Sequence, residues 1–156
     1  MYKMKKILIA VDESEGSLAT IETVVRLFPC IRPETVILLY VKKEEEAWSL
    51  TDWVALGDVE LSALKEALKG TEEYLDKKAN AIMDYYRKSL QEKGVTGIKT
   101  VIREGYPADE ILETAKEEGV EMIIIGSRGK RVSHFLLGSV SREVASRAEI
   151  SVLIAR

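Results

Sequence analysis

The sequence predicts a single α/β domain, a Rossmann-like three-layer sandwich with a five-stranded parallel sheet and helices on both faces. Three observations carry this. Short apolar runs rich in β-branched residues alternate with amphipathic helical stretches from one end of the chain to the other. The interior runs are apolar on both faces, as strands covered by helices must be. With 156 residues, 46% hydrophobic and 31% charged, the chain has the size of one core and no visible boundary, repeat or low-complexity segment. Repeated β-α alternation with right-handed crossovers closes into one parallel sheet.

The elements follow in order. Residues 5–11 (KKILIAV) read as a buried strand, and Asp12 to Ser17 supply turn and capping chemistry for the helix behind it. That helix carries Leu18, Ile21, Val24, Val25 and Phe28 on one stripe and exits near Pro29 and Pro33. VILLYV, residues 36–41, is the second strand. Residues 42–70 form an excursion with an acidic run, Trp48, Trp53 and a short helix over roughly 59–69. It either covers a site or partner or is a plain solvated connection. A second long helix starts at Thr71, turns Leu75, Ala79, Ile82, Tyr86 and Leu90 inward, and stops before Gly94.

GIKTVIRE then alternates apolar and polar residues, which suits an edge strand. Pro107 opens the next helix, with Asp109 and Glu110 in its first turn and Gly119 behind its last. EMIIIG is the fourth strand, Gly138-Ser139 opens the last helix, and ISVLIA is the fifth strand.

Composition excludes several classes. One cysteine, Cys30, permits neither an internal disulfide nor a multi-thiolate metal site. Its apolar neighbours Phe28 and Ile31 make a buried, inert thiol the expectation. The chain starts directly into a strand-like segment, and no apolar run approaches the roughly 20 residues that span a bilayer, so a cytoplasmic protein without membrane contact is expected. A net charge of -3 gives no reason for a nucleic-acid partner. The distribution is more telling: from Gly126 to the end there are six cations against two carboxylates, +4, which leaves -7 elsewhere.

That cationic tail begins with GSRGKRVSHFLLGS, residues 126–139, between strand four and the last helix. If strands one and four adjoin where the winding reverses, Asp12 and Gly126 share the ligand crevice. Asp12 either accepts hydrogen bonds from a nucleoside or caps the first helix. Gly126 and Gly129 let backbone approach a ligand and tolerate positive φ, so successive amides can form an anion nest. Gly138-Ser139 adds the free amides of a helix N-terminus, and Arg128, Lys130 and Arg131 attract a polyphosphate. G-x-x-x-x-G-K-[ST], G-x-G-x-x-G and G-x-S-x-G are all missing, and the one histidine, His134, reads as a surface residue. The visible chemistry is binding; no catalytic or metal-ligating set is specified.

Together, VDESEGS, LLYV, EGYPADEIL, MIIIGSRGK and LLGSVSREV resemble the universal stress protein family over nearly the whole chain apart from 42–70. The resemblance implies a five-stranded parallel α/β fold, commonly dimeric, whose ATP-binding branch carries G-x2-G-x9-G-[ST]. Its glycines match Gly126, Gly129 and Gly138 and its hydroxyl matches Ser139. It further implies Asp12 on the nucleoside, Val41 near adenine, and Arg128, Val140 and Ser141 around the phosphates. Gly105-Tyr106-Pro107 matches the family's turn into a helix. One departure stands out: eight residues separate Gly129 from Gly138, one fewer than the pattern. Ser151 also replaces a proline common before the last strand. The implied function is an adenine-nucleotide-binding stress or signalling module. It would take ATP, with or without Mg or Mn, hydrolyse it slowly at most, and pair as a homodimer through residues 150–156, where Val152 and Ile154 suit a paired edge. The alternative is a nucleotide-free interaction protein of the same fold that recruits a partner through the 42–70 excursion.

Overall fold

A computed structural model describes residues 3–43, 61–127 and 137–156, with the backbone alone over 61–71. The strands are β1 (Lys6–Val11), β2 (Thr35–Lys43), β3 (Ile98–Gly105), β4 (Met122–Gly126) and β5 (Ser151–Ala155). The helices are α1 (Glu15–Ile31), α2 (Leu61–Glu92), α3 (Pro107–Glu118) and α4 (Ser139–Arg147). The sheet order is β3-β2-β1-β4-β5, every pair parallel. Strand order therefore reverses between β1 and β4, where Ala10 pairs with Ile125.

Apolar runs make the three inner strands. Ile7, Leu8, Ile9, Ile37, Leu38, Leu39, Ile123 and Ile124 are fully buried, each contributing about 1.5–3 kcal/mol of transfer free energy. Alternate residues face opposite layers. Ile7, Ile9, Val36, Leu38 and Ile124 pack with Ile21 and Val24 of α1 and Ala79, Met83, Tyr86 and Leu90 of α2. Leu8, Ile37, Leu39, Ile123 and Ile125 pack with Ala108, Ile111 and Ala115 of α3 and Val144 of α4. The two layers are α1/α2 and α3/α4. The alternating β3 lies at one edge, with exposed Lys99, Thr100 and Glu104 that discourage pairing with another chain.

The helices end as their sequences dictate. Pro107 holds the first position of α3, and Gly119 takes the left-handed conformation at its end, φ 64°. Arg147 Nη1 reaches Asp109 Oδ1 at 2.7 Å and braces α4 on α3.

Three expectations are corrected. The helices expected on either side of Gly70 are one 32-residue helix, α2; a lone internal glycine costs only about 1 kcal/mol relative to alanine. Cys30 is exposed, because Phe28 and Ile31, three residues apart, occupy the inner face and the two residues between them, Pro29 and Cys30, point outward. Leu18 is 49% exposed, while Ser17 and Thr20 are buried. The first turn of α1 packs closely on the end of β4 at Gly126 and turns its small polar side inward. Among the described residues no helix is long and apolar enough to cross a membrane. Trp48, Trp53, Arg128, Gly129, Lys130, Arg131 and His134 lie outside the described residues.

Candidate functional site

The carboxyl ends of β1 and β4 come together at the reversal, and two short polar segments meet there. The first is the turn after β1. Asp12 Oδ1 accepts hydrogen bonds from Ser14 N at 2.7 Å, from Ser17 Oγ at 2.9 Å and from Ser14 Oγ. In return Asp12 N donates to Ser17 Oγ at 2.7 Å. Ser14 is the N-cap of α1 without a side-chain cap bond, so Asp12 stands two residues ahead of the cap and organises the whole turn. Ser17 sits on the buried side of α1 and closes this ring.

The second segment is the two ends of the glycine loop. Gly126 ends β4 against the first turn of α1. A Cβ placed there would fall 2.5 Å from Gly16 O and 2.6 Å from its carbonyl carbon. The glycine is required by helix packing, since its φ is not positive. Ser127 is buried and clamps three elements: its N–H donates to Ala155 O of β5 at 2.8 Å, and its carbonyl accepts from Gly138 N at 2.7 Å. Ser141, also buried, points its hydroxyl at Gly138 O, 3.0 Å away, and at Ser127 O, 3.3 Å away. Both ends of the loop are thus pinned together at the base of α4.

The start of α4 is open. Gly138 is its N-cap with φ -61° and offers no side-chain cap. The first intrahelical bond runs from Arg142 N to Gly138 O at 3.0 Å, so the amides of Ser139, Val140 and Ser141 precede the helical ladder. Those three N–H groups sit at the positive end of the helix dipole. Arg142 adds a cation in the same turn, its guanidinium donating to Leu137 O at 3.1 Å. Ser139 is exposed. Val140 is half-buried on the α3/α4 side, in the cluster that also holds Val41 near the end of β2.

Of the residues expected in a site, the structure gathers Asp12, Gly126, Gly138, Ser139, Val140 and Ser141 at the reversal, with Val41 one strand away. Arg128 and Gly129 lie outside the described residues. Two refinements follow. Gly126 serves helix packing and not a positive-φ nest, and the Ser141 hydroxyl is spent on loop carbonyls, leaving its amide as the open group. Sequence reasoning assigned three further residues to turn, cap or core and not to the site. Ser17 and Ser14 had a signal in the D-x-S-x-x-S spacing. Tyr86 had none: it is 74 positions away, and its hydroxyl donates to Asp12 O at 3.3 Å. Burial, and then the nearby Asp12 carboxylate, push the Tyr86 phenol above its ordinary pKa of 10.0.

What this arrangement can do chemically is hold an anion at the start of α4 and a hydrogen-bonding group near Asp12. Among the described residues no three His, Cys, Asp or Glu side chains gather as cation ligands.

Comparisons with known proteins agree with this architecture. The family model described as "Universal stress protein family" matches residues 3–156. Universal stress protein MJ0577 of Methanocaldococcus jannaschii is 34% identical over 162 residues, covering 100% of this chain and 96% of the relative. Universal stress protein YxiE of Bacillus subtilis is 33% identical over 154 residues, covering 97% and 98%. The solved structure of MJ0577 superposes with a TM-score of 0.79 at 32% identity, covering 99% of this chain and 96% of that one. A universal stress protein in complex with cAMP shares the fold, with a TM-score of 0.67 at 19% identity over 99% and 98% of the two chains. With a five-stranded parallel sheet, a matching family model over nearly its full length and relatives covered end to end, the chain belongs to the universal stress protein family.

Proposed function

We propose that this protein is an adenine-nucleotide-binding stress and signalling module that takes ATP at the β1/β4 reversal and passes its bound state to partners as a homodimer. The observation that carries the reading is the open start of α4. Its amides at Ser139, Val140 and Ser141 precede the ladder beside Arg142, at the same end of the sheet as Asp12. Phosphates would sit on those amides, the ribose or base on Asp12, and the apolar side chains of Val41 and Val140 near the base. By their match to the family motif, Arg128 and Gly129 would add to the same cradle. The relatives solved with cAMP and with AMP bound support adenine as the base. A Mg or Mn ion would accompany the bound triphosphate.

The test is direct. The purified chain, denatured and its supernatant run by mass spectrometry, should release an adenine nucleotide, and the nucleotide-free protein should bind ATP in calorimetry. No nucleotide and no binding at millimolar ATP would end the reading. The second reading, a nucleotide-free interaction protein, is favoured by one observation: Asp12 Oδ1 and the Ser141 hydroxyl are already engaged within the fold. It expects an unchanged dimer with no calorimetric signal.

A further inference from the structure

The β1–α1 turn is held by its own hydrogen bonds on one side and by α2 on the other. Tyr86 is buried in the α1/α2 layer, 6% exposed, and its ring meets that of Tyr85 edge-on with centroids 5.2 Å apart. Its hydroxyl donates to the main-chain carbonyl of Asp12 at 3.3 Å. Two turns earlier on α2, Lys78 Nζ lies 3.2 Å from Glu13 Oε1. Residues eight apart share a helix face, so one face of α2 contacts Glu13 and Asp12, through Lys78 and Tyr86.

We propose that Tyr86 is a positioning residue for Asp12, and that α2 sets through it the orientation of the carboxylate offered to the nucleoside. The 12–13 peptide plane is fixed by the phenol from outside the turn. The Asp12 amide and Oδ1 are fixed by Ser17 and Ser14 from within. With Oδ1 committed inward, Oδ2 is the oxygen that a ribose or an adenine amino group meets, and its direction depends on both anchors. Without the phenol, the Asp12 carbonyl loses a buried partner and the peptide can rotate, carrying Oδ2 with it. This inference rests on the nucleotide-binding reading above for its consequence, and not for its geometry.

The experiment uses the full-length chain with Tyr86→Phe, which keeps the ring in the core, and Asp12→Ala. ATP and inorganic tripolyphosphate are titrated into the wild type, both single variants and the double variant. Tyr86→Phe should weaken ATP about three- to ten-fold, leave tripolyphosphate unchanged, and add nothing in the Asp12→Ala background. Additive losses, or equal weakening of both ligands, would show that Tyr86 acts only on general stability and would overturn the proposal. Amide hydrogen exchange without ligand provides a second readout. The Asp12 and Ser14 amides should exchange faster in Tyr86→Phe while those of β2 stay protected. Unchanged exchange at Asp12 overturns the positioning role even if wild-type ATP binding is absent, which separates this failure from failure of the nucleotide reading.

Discussion

The carbonyl of Gly16, in the first turn of α1, occupies the place where a side chain on Gly126 would stand, 2.5 Å from an ideal Cβ. The contact is backbone against backbone, so no side chain can swing away to relieve it. Gly126→Ala should therefore push α1 from β4 and destabilise the fold by about 1–3 kcal/mol, read from the denaturant midpoint at unchanged slope. Because Asp12, Ser14 and Ser17 ride on that turn, ligand affinity should fall along with stability. A variant of wild-type stability would show that the turn yields without cost.

Ser141→Ala separates two uses of one residue. Its hydroxyl serves the carbonyls of Gly138 and Ser127, which also accept from Arg142 N and Gly138 N. No carbonyl is orphaned by the change, so stability should drop by about 0.5–1.5 kcal/mol. The Ser141 amide survives the substitution, and ATP affinity should stay within about two-fold. A large affinity loss at unchanged melting temperature would place the hydroxyl on phosphate instead.

Legibility followed the range of the interaction. Strand runs such as ILIAV and MIIIG are local and unambiguous, and the alternating GIKTVIRE identified an edge before any pairing was known. Adjacency of Asp12 and Gly126 was legible only as a condition, that strands one and four meet at the reversal; the pairing of Ala10 with Ile125 meets it. Cys30 misled because hydrophobic neighbours in sequence are not neighbours on a helix: the i, i+3 pair Phe28 and Ile31 faces inward and leaves Pro29 and Cys30 outside. Leu18 misled because the apolar stripe was carried into the first turn, where close packing of Gly16 on Gly126 turns Ser17 and Thr20 inward instead. Tyr86 and the Gly16–Gly126 contact were illegible because each depends on where a distant segment packs. The reason for a glycine, ligand or helix, is a tertiary fact.

Lys42 makes the pH dependence of the α2 anchor testable. Its ammonium lies 2.7 Å from Asp76 Oδ1 of α2 and 3.3 Å from Glu104 Oε2 of β3. Hydrogen bonding to Asp76 first, then burial working in the opposite direction, then Glu104, leave its pKa raised above 10.5. A raised folded-state value means that the stability it contributes is fully present below the unfolded pKa of 10.5 and is lost as pH rises through the higher folded value. Lys42→Met should cost about 0.5–1 kcal/mol at neutral pH, since both carboxylates are half exposed. It should also flatten the decline in stability above about pH 10.5. Denaturant midpoints of both chains from pH 7 to 12 check this; parallel curves would refute the ion-pair contribution.

The hydrogen bond from Ser127 N to Ala155 O, 2.8 Å, links the first residue of the glycine loop to the last residue of the β5 edge. Val152, Leu153 and Ile154 on that edge are half-buried, suited to burial against a second copy, and an unpaired edge is a template for another strand. If phosphates bind at the start of α4, where Gly138 N donates to Ser127 O, they stiffen the end of β5 through Ser127, and nucleotide binding and dimer formation become linked. Linkage is reciprocal: whatever factor ATP gains for dimerisation, the dimer gains for ATP. Sedimentation across micromolar concentrations should show a dimer that tightens with ATP, and Val152→Lys should shift it to monomer with helical content and cooperative unfolding intact. ATP should then bind that monomer more weakly than the wild-type dimer by the same factor that ATP strengthens the dimer. A wild-type chain that stays monomeric throughout sinks the edge-pairing model; a dimer indifferent to ATP sinks the Ser127 link alone.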